Sequence, residues 1–147
     1  MRRIYLLAVA LSAFALPARA DDTYQISKTD AVVAVGSKGT ASVTISAKKG
    51  WHLNAEAPLT LKLASSPGLQ TDKPKLGRAD LALSTESQAR FDVGVTATEP
   101  GKKTLDAEVG FVLCQEEACR PIKEKLSLVV DASETKQAEP AKKTKKK

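Results

Sequence analysis

Leu105, Ala107, Val109, Phe111 and Leu113 are apolar at every second position, and the same alternation runs through Ala41, Val43, Ile45 and Ala47 and through Phe91, Val93, Val95 and Ala97. A period of two gathers these side chains on one face of an extended strand, whereas on a helix they would scatter around the axis. Turn signals break the chain between such runs: Lys48-Lys-Gly50, Pro67-Gly68 and Glu99-Pro-Gly-Lys102. Further strands are expected at Tyr24 to Lys28, Ala31 to Val35, Trp51 to Asn54, Leu59 to Leu63, and a last one carrying Ile122, Leu126, Leu128 and Val130. The stretch from Asp72 to Gly77 reads as loop. Seven or more short strands in about 110 residues specify an all-β chain, an immunoglobulin-like antiparallel β-sandwich. A small closed barrel is the weaker alternative.

The N-terminus carries an export signal: Arg2 and Arg3, an apolar run from Ile4 to Leu16, and a small-x-small site at Ala18-Arg-Ala20. Cleavage is expected after Ala20, leaving a periplasmic protein. The apolar run is shorter than the roughly 20 residues that cross a bilayer. One domain is expected at 21–131 and a disordered basic tail at 132–147, which has no aromatic or branched aliphatic residue to bury. The net charge of +6 belongs to these ends. Outside the signal's three arginines and the tail's six lysines and two glutamates, 14 Lys and Arg face 15 Asp and Glu. A nucleic-acid-binding fold is therefore not indicated. The lysines suit weak contact with an anionic envelope surface, at roughly 1 kcal/mol per charge near it; a purely solubilising tail is the alternative. Nothing in the chain suggests an oligomer, and a monomer is expected.

The only two cysteines, Cys114 and Cys119, lie in Phe111-Val-Leu-Cys114-Gln-Glu-Glu-Ala-Cys119-Arg-Pro121. In an oxidising compartment their default state is a bridge to each other. A hairpin connection brings such positions within the roughly 4.4–6.8 Å between Cα atoms that a disulfide spans. The immunoglobulin disulfide joins distant strands across two sheets; this pair can only close a tight connection. The alternation places Phe111 and Leu113 on the core face and Cys114 on the other. Glu116 and Glu117 form a solvated tip, and Pro121 fixes the start of the last strand. So short a loop constrains the unfolded chain by only about 2 kcal/mol. Spacing alone leaves both a structural staple and a redox pair open. A zinc site lacks ligands, since His52 is the only histidine, and no cofactor is indicated. There is no Gly-x-Ser-x-Gly element and no phosphate-binding glycine loop.

In combination, Gly50-Trp51-His52-Leu53-Asn54, Pro67-Gly68, and a strand ending in Cys114 with Cys119 and Pro121 beyond it resemble the N-terminal periplasmic domain of the thiol:disulfide interchange protein DsbD, over most of 23–130. The resemblance implies an immunoglobulin-like domain whose pair, Cys114 and Cys119, exchanges with thioredoxin-like periplasmic proteins. Its electrons would come from a separate membrane electron carrier, because the membrane-spanning and thioredoxin-like domains of the full-length relative are not in this sequence. Trp51 is expected as an aromatic wall beside the pair, with core packing as the alternative. His52 is expected near it or simply facing solvent. Relatives cap the pair with a loop carrying acidic and aromatic residues. The corresponding Asp72-Lys-Pro-Lys-Leu-Gly-Arg78 has no aromatic, which leaves Leu76 as the candidate cap. Two functions follow as expectations: a thiol–disulfide relay through Cys114 and Cys119, or a non-catalytic exported binding or accessory module whose disulfide is purely structural.

Overall fold

A computed structural model describes residues 23–134. The export signal and all but the first three residues of the basic tail lie outside the described residues. The chain forms β1 (Tyr24–Thr29), β2 (Ala31–Ala34), β3 (Lys38–Ala47), β4 (His52–Leu53), β5 (Thr60–Leu63), β6 (Leu69–Thr71), β7 (Lys75–Leu76), β8 (Leu81–Ser84), β9 (Gln88–Ala97), β10 (Gly101–Gln115) and β11 (Ala118–Ser133), with one 3-10 turn at Arg78–Asp80. Two sheets result. In one, β1, β3 and β9 lie side by side and β6 and β8 share the far edge of β9. In the other the order is β2-β11-β10-β5-β7, with β4 also on β10. The fold is an all-β immunoglobulin-like sandwich.

Each alternating run buries its apolar face between the sheets. Val43, Ile45, Phe91, Val93 and Val95 from the first sheet meet Leu61, Leu105, Val109, Leu113, Leu128 and Val130 from the second, all at 0–1% exposure. Tyr24 packs edge-on against Phe111, with ring centroids 5.2 Å apart, and its hydroxyl donates to the Glu124 carboxylate. Burial on this scale contributes about 1.5–3 kcal/mol for each large side chain.

The architecture departs from a purely antiparallel sandwich at one place. β2 runs parallel to β11, from Ala31 opposite Val130 to Ala34 opposite Ser133. The first strand has switched sheets at Asp30, whose carboxylate accepts the Val129 N–H at 2.8 Å, just where the parallel ladder begins. That pairing carries β11 to Ser133 and buries Ala132, so order extends two residues past the expected domain end. The stretch expected to be loop is likewise partly strand. Lys75 and Leu76 pair with Lys62 and Leu61, the Leu76 side chain completing the core at a sheet edge. Pro121 lies inside β11 rather than before it.

A disulfide at the tip of the longest hairpin

β10 and β11 stay in register from Gly101 opposite Ala132 to Gln115 opposite Ala118, so Glu116 and Glu117 form a two-residue tip. Glu116 has φ +35°, in the left-handed region that a short hairpin tip demands. Cys114 and Cys119 are directly opposite and disulfide-bonded, with Cα atoms 4.0 Å apart. That is closer than the spacing expected from sequence. Counting back from the tip, Gln115 and Ala118 form the hydrogen-bonded pair, which leaves the cysteines in a non-hydrogen-bonded position, where opposite Cα atoms approach to about 4.5 Å. Two residues further, Pro121 faces Val112 in the same kind of position, so its missing N–H removes nothing from the ladder.

The two sulfurs have different surroundings. Cys114 sits in the middle of a sheet, with Cys119 on one side and His52 of β4 on the other. It is buried at 5% exposure although it faces away from the core. Cys119 lies on β11 where that strand forms an edge, because β2 joins only at Val130–Ser133, and it is exposed.

The sequence element Gly50–Asn54 builds the wall on the Cys114 side. Gly50 has φ +87°, which glycine alone adopts without strain, and this closes the turn in which the Trp51 N–H reaches the Lys48 carbonyl. Leu53 then pairs with Leu113 and is buried, and the Asn54 N–H donates to the Val112 carbonyl at 3.0 Å. This brings the Asn54 amide over the bridge. Its Nδ2 lies 3.3 Å from Cys114 Sγ and 4.0 Å from Cys119 Sγ. Its Oδ1 accepts the N–H groups of Glu56 and Ala57 at 2.8 and 2.9 Å.

A second element locks this loop. Arg78 Nη2 donates to the carbonyls of Asn54 and Ala57, both at 2.7 Å. Arg78 opens the 3-10 turn, and Asp80 at its other end accepts the Gly77 N–H at 2.9 Å and pairs with Lys73. The Lys73 ammonium, then the Gly77 N–H, hold the Asp80 carboxyl below its ordinary value.

The structure brings Cys114, Cys119, Trp51 and His52 to this end of the hairpin. Trp51 is half-buried and packs against the core, and the Arg120 guanidinium lies 5.7 Å from its ring centroid. His52 is exposed, directly across from Cys114. Leu76 does not join them. It is opposite Leu61, which faces Val109, five residues along β10 from Cys114 and so about 17 Å away at strand rise. Buried in the core, Leu76 does not cap the pair. Asn54 and Arg78 are the site residues that the sequence reading did not single out. Asn54 was within the motif, and its spacing from the cysteines carries no signal; Arg78 had no signal at all.

Elsewhere the surface offers less chemistry. One concavity, lined by Lys62, Leu63, Asp106, Glu108, Lys125 and neighbours, is an open hollow along β5, β10 and β11, away from the bridge. Among the described residues, no group of three His, Cys, Asp or Glu side chains could hold a metal ion, and no helix is long and apolar enough to cross a membrane.

No protein-family model and no curated protein matches the chain. Among solved structures it is similar to AggA, the major subunit of aggregative adherence fimbriae type I from Escherichia coli, at 8% identity and TM-score 0.39, over 75% of this chain and 94% of that one. It is also similar to WR4, a C. elegans MSP family member, at 11% identity and TM-score 0.40, over 74% and 97% of the two chains. The CooA pilin subunit of enterotoxigenic Escherichia coli matches at 11% identity and TM-score 0.30, over 76% and 99%. Likeness at this level carries no argument about function, and the two-sheet architecture rests on this chain's own ladders and core.

Proposed function

We propose that the chain is a thiol–disulfide exchange module of the periplasm, related to the N-terminal domain of DsbD, in which Cys114 and Cys119 pass electrons to or from thioredoxin-like partners. A separate membrane electron carrier would serve the other side of the relay, and the lysine tail would keep the module near an anionic surface. The observation that carries this reading is the asymmetry of the bridge: one sulfur exposed on a strand edge, the other buried under an amide donor. A partner thiolate approaches Cys119 Sγ. As the new S–S bond forms, the Cys114–Cys119 bond breaks and its electron pair goes to Cys114 Sγ as a thiolate. The partner's second thiolate then attacks its own sulfur in the mixed disulfide and releases Cys119. The partner dithiol has become a disulfide and this pair a dithiol, with two electrons transferred; the reverse sequence reduces a partner.

A second reading, an exported accessory module with a structural staple, is favoured by the position of the bridge at the in-register end of the longest hairpin, with Leu76 packed in the core and not over it. Equilibration of the full chain in thiol–disulfide buffers, followed by alkylation and mass measurement, separates the two. A potential of about −180 to −270 mV supports exchange, and one below about −300 mV assigns the bridge to structure and refutes it.

A further inference from the structure

We infer that Asn54 is a catalytic residue of this site, whose side-chain amide stabilises the Cys114 thiolate and so makes Cys114 the leaving group. The inference rests on the exchange reading above and adds to it the group that sets the polarity of the bridge. Which end of the Asn54 side chain faces the sulfurs is fixed by its other partners. Two backbone N–H groups, from Glu56 and Ala57, converge on one end of the amide, which must therefore be the oxygen. Turned over, the amide would set its NH2 group against two donors. The NH2 end is thus held toward sulfur, nearer Cys114 than Cys119.

The donor does little for the oxidised pair, because a disulfide sulfur is a weak acceptor. It does far more for a thiolate, since a hydrogen bond to an ionised acceptor is roughly twice as strong as a neutral one. The interaction therefore strengthens as the bridge breaks, in the transition state and in the reduced product, which is the requirement for a group that accelerates the step. The buried position of Cys114 enlarges the effect. Burial alone raises a thiol pKa, and the neutral amide opposes that without bringing a charge. Nor does the donor have to be organised at the moment of reaction. The Asn54 N–H to Val112 and the Arg78 clamp on the Asn54 carbonyl fix the loop beforehand.

The test uses the full chain with Cys119→Ala, so that Cys114 is the single thiol, and titrates it by the ultraviolet absorbance of its thiolate. Asn54→Ser removes the NH2 donor, adds no charge, and leaves an oxygen that can still accept the turn N–H groups; Asn54→Ala removes donor and turn acceptor together. Both variants are expected to raise the Cys114 pKa by roughly one to two units, with Asn54→Ser keeping the wild-type unfolding midpoint more nearly than Asn54→Ala. A Cys114 pKa unchanged in both variants overturns the inference whatever happens to stability, since a purely structural asparagine would shift the midpoint and not the titration, and Asn54→Ala leaves no side-chain donor at all. Failure of the exchange reading would appear elsewhere, as a wild-type potential in the structural range, and is therefore distinguishable from failure of the assignment to Asn54.

Discussion

Reducing the Cys114–Cys119 bridge is expected to cost the fold about 2 kcal/mol and leave it folded. The figure comes from the short closure: with a sequence separation of 5, the chain-entropy cost removed from the unfolded state is about 2 kcal/mol. The hairpin does not need the bridge to find its register. Phe111, Leu113 and Ile122 are buried within a few residues of it, each contributing about as much as the disulfide. By the thermodynamic cycle, what the bridge adds to the fold is what the fold adds to the bridge. About 2 kcal/mol lowers the potential by only about 40–50 mV relative to the same pair in the unfolded chain. A donor that favours the reduced Cys114 thiolate makes the figure smaller still. Urea unfolding followed by far-ultraviolet circular dichroism, with and without a phosphine reductant, reads it directly. With a slope of about 1–2 kcal/mol per molar, the midpoint should fall by roughly 1–2 M. Loss of the β-sheet signal on reduction alone, or a change above about 4 kcal/mol, would refute the reasoning and mark the bridge as a staple on which the sandwich depends.

Two further outcomes follow from the elements behind the site. Arg78→Ala removes both 2.7 Å hydrogen bonds to the Asn54 and Ala57 carbonyls, and it is expected to cost about 1–2 kcal/mol in urea melts. Arg78 is a positioning residue, so its loss should also slow reduction of the bridge by a small dithiol, with Arg78→Lys restoring that rate in part and a purely structural Arg78 leaving it unmoved. Acid should loosen both corners held by carboxylates. The Val129 N–H holds Asp30 below its ordinary 3.8, and the Lys73 ammonium does so for Asp80. Carboxyls whose folded pKa is depressed contribute stability that is complete above the unfolded value and is lost as pH falls through the lower folded value. The urea midpoint should therefore decline below about pH 4, and the combined variant Asp30→Asn, Asp80→Asn should decline less steeply; equal slopes would exclude these two groups as the cause.

The long strands were legible because each carries its own signal. In β3 and β9 the apolar face is continuous and the residues between are small, polar or charged; β10 and β11 keep the alternation over most of their length, with Val112 and Val129 on the outer face and Glu124 on the inner one, so the period of two survives without reference to any neighbour. Short edge strands lack that redundancy. Leu81 and Leu83 of β8 alternate, but both are only half-buried and a register shift separates them on β9. In β7 one apolar residue, Leu76, sits between Lys75 and Gly77, and a single position has no period; its pairing with Leu61 is a property of the sheet edge. The parallel pairing of β2 was hidden for a different reason. It depends on where Asp30 finds a donor, and that donor, Val129, is 99 residues away.

The same division runs through the site. That two cysteines would meet at a hairpin tip could be read from spacing and turn residues, because a two-residue connection places them in register by itself. Their inequality could not, since it arises from strands that flank them. β4 pairs with β10 at Cys114, and among the described residues no strand pairs with the outer edge of β11 beside Cys119. The amide that distinguishes the sulfurs depends in turn on Arg78, 24 residues beyond Asn54, and Arg78 is aimed by a turn that Asp80 closes. A disulfide between identical environments would have no preferred leaving group. Here the sheet makes one sulfur a central-strand position and the other an edge, so polarity follows from topology before any side chain acts, and Asn54 adds a chemical preference for the sulfur that the topology has already buried.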